Sequence, residues 1–125
     1  MQHVATSSHT TDQAIIVSKA LCRAVDFWAI SNRHLGEIIG LSEATISRLK
    51  KGEYRLVPDS KSWQLALLFL RSYRGLDAYL GGHKENEIAW LNASNQALNG
   101  TPLELMKDVA GLANVTNYID AIRGQ

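Results

Sequence analysis

Side chains that can read DNA bases are grouped in one short stretch of this sequence. Arg48 offers the paired N–H donors that recognise guanine, Glu43 can accept a hydrogen bond from the cytosine amino group, and Thr45 can present its methyl group to thymine. Ser42 and Ser47 add two hydroxyls that can bond to bases or to phosphates. These residue types predict a surface for contact with base edges in the major groove of double-stranded DNA.

The same stretch ends in a local concentration of positive charge. From Arg48 to Arg55 the chain carries four cations and one anion, whereas the whole chain of 125 residues has a net charge of +1. Lys50, Lys51 and Arg55 are suited to neutralising phosphates, which gives salt-sensitive affinity without sequence preference. The whole-chain charge does not indicate a nucleic-acid partner, so any such contact is expected to be local.

Two short helices are needed to position these side chains. The first is predicted over residues 32–39, with Ser31 or Asn32 as its cap, and it ends at Gly40, which can adopt a positive φ. Ser42 can cap a second helix over residues 43–51. This order of helix, glycine turn and helix is typical of a helix-turn-helix, whose second helix enters the major groove. The alternative interpretation is a plain pair of amphipathic helices with a solvated basic face.

The flanking sequence is also helical in pattern. Residues 1–10 are polar and are predicted to be a flexible tail. A first helix is expected from Thr11, with Thr11 or Asp12 as its cap. A long helix is expected from Asp59 or Ser60 to about residue 80, and it is apolar nearly all round in its first half, which is typical of a buried central helix. A glycine pair at residues 81–82 marks the clearest internal boundary.

The C-terminal third predicts three short helices, over residues 84–92, 102–110 and 112–123. Thr101 and Glu104 have the spacing of a capping box. No stretch shows the period of two that strands require. The predicted fold is therefore all-α, a helix-turn-helix region fused through a long central helix to a small helical C-terminal region. The expected organisation is a tail over 1–10, a helix-turn-helix domain over 11–80 and a C-terminal domain over 81–125.

Composition argues against several classes of function. The single cysteine, Cys22, excludes an intramolecular disulfide and fits a reducing compartment, so a cytoplasmic location is expected. The four histidines lack metal-ligand spacing, and no catalytic or phosphate-loop motif is present. We therefore expect no enzyme, no catalytic residues, no metal and no cofactor. The longest apolar run, residues 65–70, is far shorter than the ~20 residues of a membrane span, and the N-terminus lacks the apolar core of a signal peptide.

Two parts of the chain resemble a known family. Residues 32–52 are similar to the helix-turn-helix of Xre-type antitoxins. The C-terminal region resembles the toxin-binding domain of the Xre/MbcA/ParS antitoxins, with one departure, Ser94, where that family usually has proline. The matching segments are Ala89–Asn95, Leu98–Met106, Gly111, Val115 and Ile122–Gly124.

The resemblance implies a partner and a mode of action. The partner is a RES-type toxin that depletes NAD, and the antitoxin occludes the toxin's active site with its C-terminal segment. The helix-turn-helix represses the antitoxin's own operon by binding operator DNA. A homodimer is expected because such motifs usually read paired half-sites. The resemblance assigns toxin contact to the end of the chain: Tyr118, Ile122, Arg123, Gly124 and Gln125.

The residues at the end of the chain leave alternatives open. Tyr118 and Arg123 lie off the apolar stripe of the last helix, so both are predicted to be exposed, and these residue types are enriched at binding anchors. The alternative is a frayed terminus with a solvated arginine. The alternative function is a free-standing dimeric helix-turn-helix transcriptional regulator, whose C-terminal half dimerises or senses a ligand.

Overall fold

Seven α-helices make up the regular structure of the described residues, which include no β-strand. The computed structural model describes the backbone of residues 2–124 and the side chains of residues 11–124. The predicted all-α class is confirmed. In the part of the chain described, no helix has the length and apolarity needed to cross a membrane. The helices are α1 (Gln2–Phe27), α2 (Asn32–Ile39), α3 (Glu43–Lys50), α4 (Lys61–Tyr79), α5 (Lys84–Asn92), α6 (Pro102–Leu105) and α7 (Val109–Arg123).

Helix α1 begins at Gln2, well before the predicted start at Thr11. Residues 2–10 contain no glycine or proline, so no helix-breaking residue separates them from the rest of α1. Thr11 and Asp12 lie inside the helix and are not at its N-cap position, so the predicted cap was wrong. The side chains of the predicted tail, residues 1–10, lie outside the described residues.

Three helices begin at serine caps, as the sequence predicts. The hydroxyls of Ser31, Ser42 and Ser60 each accept a hydrogen bond at 3.1 Å from the backbone N–H three residues later. Each bond satisfies one of the N–H groups that the first turn of a helix leaves unpaired. Helix α2 ends at Gly40, which has a φ of 77° that few other residues adopt without strain.

One continuous hydrophobic core runs from α1 to α7. Trp28, directly after α1, contacts Phe69 of α4 edge to face, with their ring centroids 5.5 Å apart. Both side chains are almost completely buried, and burying an aromatic side chain of this kind stabilises a fold by about 1.5–3 kcal/mol. The same buried cluster includes Leu91 of α5, Leu103 of α6 and Leu112 of α7, so the helix-turn-helix and the C-terminal helices share one core.

Helix α4 is the central helix, and it packs along α7. Gly75 of α4 permits this close approach, because a Cβ atom there would lie only 2.7 Å from Cγ2 of Ile119. At the edge of the contact, Arg71 Nη2 lies 2.7 Å from Asp120 Oδ2. The C-terminal region is thus held on the same helix that supports the helix-turn-helix.

The predicted helix over residues 102–110 ends already at Leu105. Asp108 starts the next helix, because its side chain accepts a hydrogen bond from the N–H of Gly111 at 3.3 Å. Gly111 packs directly on the carbonyl oxygen of Leu105, where a Cβ atom has no room. The predicted capping box was wrong, because the Thr101 side chain makes no cap bond and Glu104 accepts instead from a lysine, Lys107.

A tight turn over residues 95–100 connects α5 to α6. The backbone groups of Asn95 and Gly100 exchange two hydrogen bonds, at 2.9 and 3.2 Å. The Asn95 side chain also accepts a hydrogen bond from the N–H of Leu98 at 3.1 Å. Asn95 therefore closes the turn itself, and the serine at position 94 does not prevent it from forming.

Candidate functional site

The turn between α2 and α3 depends on a glycine inside α2. Gly36 packs against the carbonyl oxygen of Leu41, and a Cβ atom at this position would collide with that oxygen. The Gly36 carbonyl accepts hydrogen bonds from the N–H groups of Gly40, at 2.8 Å, and Leu41, at 3.0 Å. The close approach fixes α3 against α2. Sequence reasoning did not single out Gly36, although a glycine within a helix was the available signal.

Helix α3 buries one face and exposes the other. Ile46 and Leu49 point into the core, with 0% and 4% of their surfaces exposed. All eight side chains predicted to contact DNA lie on α3, its N-cap or the loop that follows. Thr45 and Ser47 are partly buried there, and the other six are exposed: Ser42, Glu43, Arg48, Lys50, Lys51 and Arg55.

A chain of hydrogen bonds runs along the exposed face of α3. The Ser42 hydroxyl donates to Thr45 Oγ1 at 2.8 Å, and Arg48 Nη2 donates to the same oxygen at 3.1 Å. The Arg48 guanidinium is therefore directed toward the N-terminal end of the helix, the end that meets base edges in a helix-turn-helix. Because Thr45 Oγ1 accepts both bonds, its own hydrogen is available to a further acceptor.

A basic groove lies beside the C-terminal end of α3. Lys50, Lys51 and Arg55 line it together with Lys19 and Arg23 of α1, and we call it the α1–α3 groove. Its volume is about 580 Å³, and no carboxylate is among the described residues that line it. Sequence reasoning missed the two α1 cations. Their spacing places them on one face of α1, but the sequence did not indicate that this face turns toward α3.

The predicted toxin-contact residues lie at the end of α7, and one of them differs from expectation. Tyr118 is partly buried, because its ring stacks on Trp90 of α5 with centroids 6.4 Å apart and an angle of 18°. The prediction that Tyr118 is exposed was therefore wrong, because the stacking contact covers part of its ring. Ile122 is partly buried, Arg123 and Gly124 are exposed, and Gln125 lies outside the described residues.

Polar side chains join the helix-turn-helix to the C-terminal region at α2 and α6. A ring nitrogen of His34 lies 3.0 Å from the Leu103 carbonyl oxygen. Lys107 Nζ lies 3.2 Å from Glu37 of α2 and 2.9 Å from Glu104 of α6. The hydrogen bond from Lys107 holds the pKa of Glu37 below its usual range. The first helix of the helix-turn-helix is thus tied to the C-terminal region.

A buried acid joins the same two regions deeper in the molecule. Glu87 of α5 is completely buried, and its Oε1 accepts a hydrogen bond from the Trp28 indole N–H at 2.9 Å. Its Oε2 has no hydrogen-bond partner among the described residues. Burial, reinforced by the neighbouring Asp77, raises the pKa of Glu87 to about 7. Sequence reasoning did not identify Glu87, because nothing local indicates burial of an acid in a helix rich in charge.

No group of three or more His, Cys, Asp or Glu side chains that could hold a metal ion occurs within the described residues. The features that the fold does present are a helix-turn-helix with a polar recognition face and a helical C-terminal region packed on its central helix. These features define a two-part protein of the helix-turn-helix class.

Comparison with family models identifies both parts. Residues 8–71 match the antitoxin Xre-like helix-turn-helix domain, and residues 75–124 match the antitoxin Xre/MbcA/ParS C-terminal toxin-binding domain. The chain belongs to the Xre/MbcA/ParS antitoxins, the protein inhibitors of type II toxin–antitoxin systems. Neither matched domain family is a family of enzymes. No curated protein matches the chain.

Proposed function

We propose that this antitoxin neutralises a RES-type, NAD-depleting toxin in the cytoplasm and represses its own operon as a homodimer. In this proposal the end of α7 enters or covers the toxin's active site, and α3 reads the operator. The observation that carries the proposal is the pairing of an exposed recognition face on α3 with exposed residues at the end of α7, Arg123 and Gly124.

The ordered face of α3 supports sequence-specific DNA binding. Thr45 holds Arg48 along the helix, so part of the rotamer entropy that a guanine contact would cost is already lost in the free protein. We expect Arg48→Ala to relax base preference at one position and to cost about 1–3 kcal/mol of binding free energy on the preferred site. Selection from a random duplex library, followed by titration of the selected site, measures both quantities.

Thr45 provides a control for this DNA experiment. Thr45→Val removes the hydroxyl that anchors Arg48 but keeps the side-chain shape, so base discrimination should fall although Arg48 is still present. Thr45→Ser keeps the hydroxyl and should restore discrimination at the position that Arg48 reads. Wild-type protein that binds selected and random duplexes equally would contradict operator recognition by α3.

The end of α7 supports toxin occlusion. Because Ile119 is fully buried, a large C-terminal deletion would damage the core, so the deletion must begin after it. We expect a variant that ends at Ala121 to lose protection against a co-expressed RES-type toxin. Arg123→Glu in the full-length chain should weaken protection without shortening the helix. Asn117→Ala, an exposed position earlier on α7, is the matched control and should protect fully.

Two further measurements complete this test. Both α7 variants should bind DNA like the wild type, since α3 is unchanged. NAD levels in the co-expressing cells should fall when protection is lost. Full protection by the variant that ends at Ala121 would overturn the assignment of toxin contact to this segment. Normal DNA binding by a wild-type protein that protects against no RES-type toxin would favour the free-standing dimeric regulator.

A further inference from the structure

The walls of the α1–α3 groove are held together by contacts within the protein. The N–H of Leu56, after the loop that follows α3, donates to the buried Ser18 hydroxyl of α1 at 3.1 Å. Cys22 Sγ lies 3.9 Å from the Leu49 carbonyl oxygen, which connects α1 to α3 directly. The groove is therefore formed before any ligand binds, and its cations need little rearrangement to receive one.

The charge of the groove is not balanced within the protein. None of its five cations forms an ion pair with a residue that the structure describes. Five like charges around one concave surface repel one another and produce a strong local positive potential. An anionic ligand would relieve that repulsion. Tyr54, which also lines the groove, offers a hydroxyl as a further hydrogen-bond donor.

We propose that the α1–α3 groove is a phosphate-binding site that holds the sugar–phosphate backbone of the duplex whose bases α3 contacts. The inference rests on the DNA-binding part of the proposed function. Lys51 follows Arg48 by one helical turn, so the groove continues the α3 recognition face. A backbone strand flanking the contacted bases can therefore reach Lys19 and Arg23. Helix α1 becomes part of the DNA footprint, in addition to α2 and α3.

A double substitution in α1 tests this site without altering α3. Lys19 and Arg23 are exposed, so Lys19→Gln/Arg23→Gln should fold like the wild type, as circular dichroism can verify. The matched control is Arg74→Gln/Lys84→Gln, which removes the same charge from exposed positions outside the groove. The affinity of each protein for a fluorescein-labelled random-sequence duplex is measured by anisotropy over a series of salt concentrations.

The slope of log affinity against log salt concentration is the decisive quantity. Each lost phosphate contact should reduce the slope by about 0.9, so the groove variant should lose nearly 2. The control should keep the wild-type slope. If the groove variant keeps it too while all three proteins bind DNA, this proposal fails and the proposed function stands. If the wild type binds no duplex, this proposal and the DNA-binding part of the proposed function both fail.

A second arm separates the duplex backbone from a free phosphate compound. Inorganic pyrophosphate is titrated into the wild type and the groove variant by calorimetry. Pyrophosphate binding that the groove substitutions abolish, combined with an unchanged salt slope on DNA, would assign the groove to a free phosphate ligand and overturn the proposal. The expected result is a changed salt slope with weak or no pyrophosphate binding.

Alkylation of Cys22 reports whether bound duplex covers the α1–α3 groove, and this measurement needs no substitution. It is the only cysteine of the chain, it is partly buried and it lines the groove. Saturating duplex should slow its alkylation by uncharged N-ethylmaleimide several-fold, and a salt concentration that releases the duplex should restore the rate. An alkylation rate that bound duplex leaves unchanged would contradict occupancy of the groove by the DNA backbone.

Discussion

At the scale of single residues, Glu87 makes the stability of the fold depend on pH. Its folded-state pKa of about 7 lies above the ordinary value of 4.5, mainly because burial disfavours the carboxylate. The folded state therefore holds a proton that the unfolded state releases between these two values. The stabilisation is complete below about pH 4.5 and is lost as pH rises through about 7.

We predict that Glu87→Gln removes this dependence. Wild type and variant should have similar unfolding free energies near pH 5, where Glu87 is protonated. At pH 8 the variant should be more stable by roughly 2–3 kcal/mol, because the wild type then contains a buried carboxylate. Urea denaturation at several pH values measures the difference. Glu85→Gln, at an exposed position on the same helix, should follow the wild type, and parallel curves for all three proteins would refute the prediction.

At the scale of elements, the contact between α2 and α3 depends on Gly36. Replacing a helical glycine by alanine ordinarily stabilises a helix by about 1 kcal/mol. At position 36 the new methyl group would meet the Leu41 carbonyl oxygen, and backbone cannot move aside as a flexible side chain can. We predict that Gly36→Ala lowers the unfolding free energy by roughly 1–3 kcal/mol.

DNA binding supplies the second measurement for Gly36→Ala. The substitution displaces the turn that orients α3, so it should also weaken binding of the selected site more than binding of random duplex. Chemical denaturation and anisotropy titration give the two values. A variant more stable than the wild type would mean that helix propensity outweighs the contact, and the proposed role of Gly36 in setting the turn would be wrong.

Features that depend on contacts between residues close in sequence were predictable from the sequence. The caps at Ser31, Ser42 and Ser60 each depend on a bond across three residues, so their residue types and spacing are sufficient. The stacking of Tyr118 on Trp90 was not predictable, because it joins helices far apart in sequence. Helical periodicity places a residue on a face of its helix, but it does not identify the neighbouring helix that covers that face.

The α1–α3 groove and the short α6 also depend on contacts between different segments of the chain. Lys19 and Arg23 become part of a site only because α1 packs beside the end of α3. Gly111 packs on the Leu105 carbonyl oxygen where α6 ends, and this contact is invisible in a pattern of apolar residues. Of the candidate site, the residue types on α3 were predictable, whereas their hydrogen-bonded order and the α1 cations required the packed structure.

At the scale of the whole molecule, the shared core couples the two functional regions. Helix α4 packs on α1, α2, α5 and α7, while Glu87 bonds to Trp28 and Lys107 pairs with Glu37. Opening the C-terminal region would expose apolar surface on α4 and break these polar contacts. The helix-turn-helix and the toxin-binding region should therefore unfold as one cooperative unit, although they match two separate domain families.

A substitution that creates a small cavity beside α7 tests whether the two regions unfold together. Ile119→Val removes the Cδ1 methyl group of a fully buried residue on the helix that packs along α4, which should cost about 0.5–1.5 kcal/mol. Hydrogen exchange measured by mass spectrometry gives the opening free energy of amides in each helix. If the molecule unfolds as one unit, the most protected amides of α2 and α3 should lose the same free energy as those of α7. A loss confined to α5, α6 and α7 would show that the C-terminal region opens alone, and toxin release could then occur without disturbing the DNA-binding face.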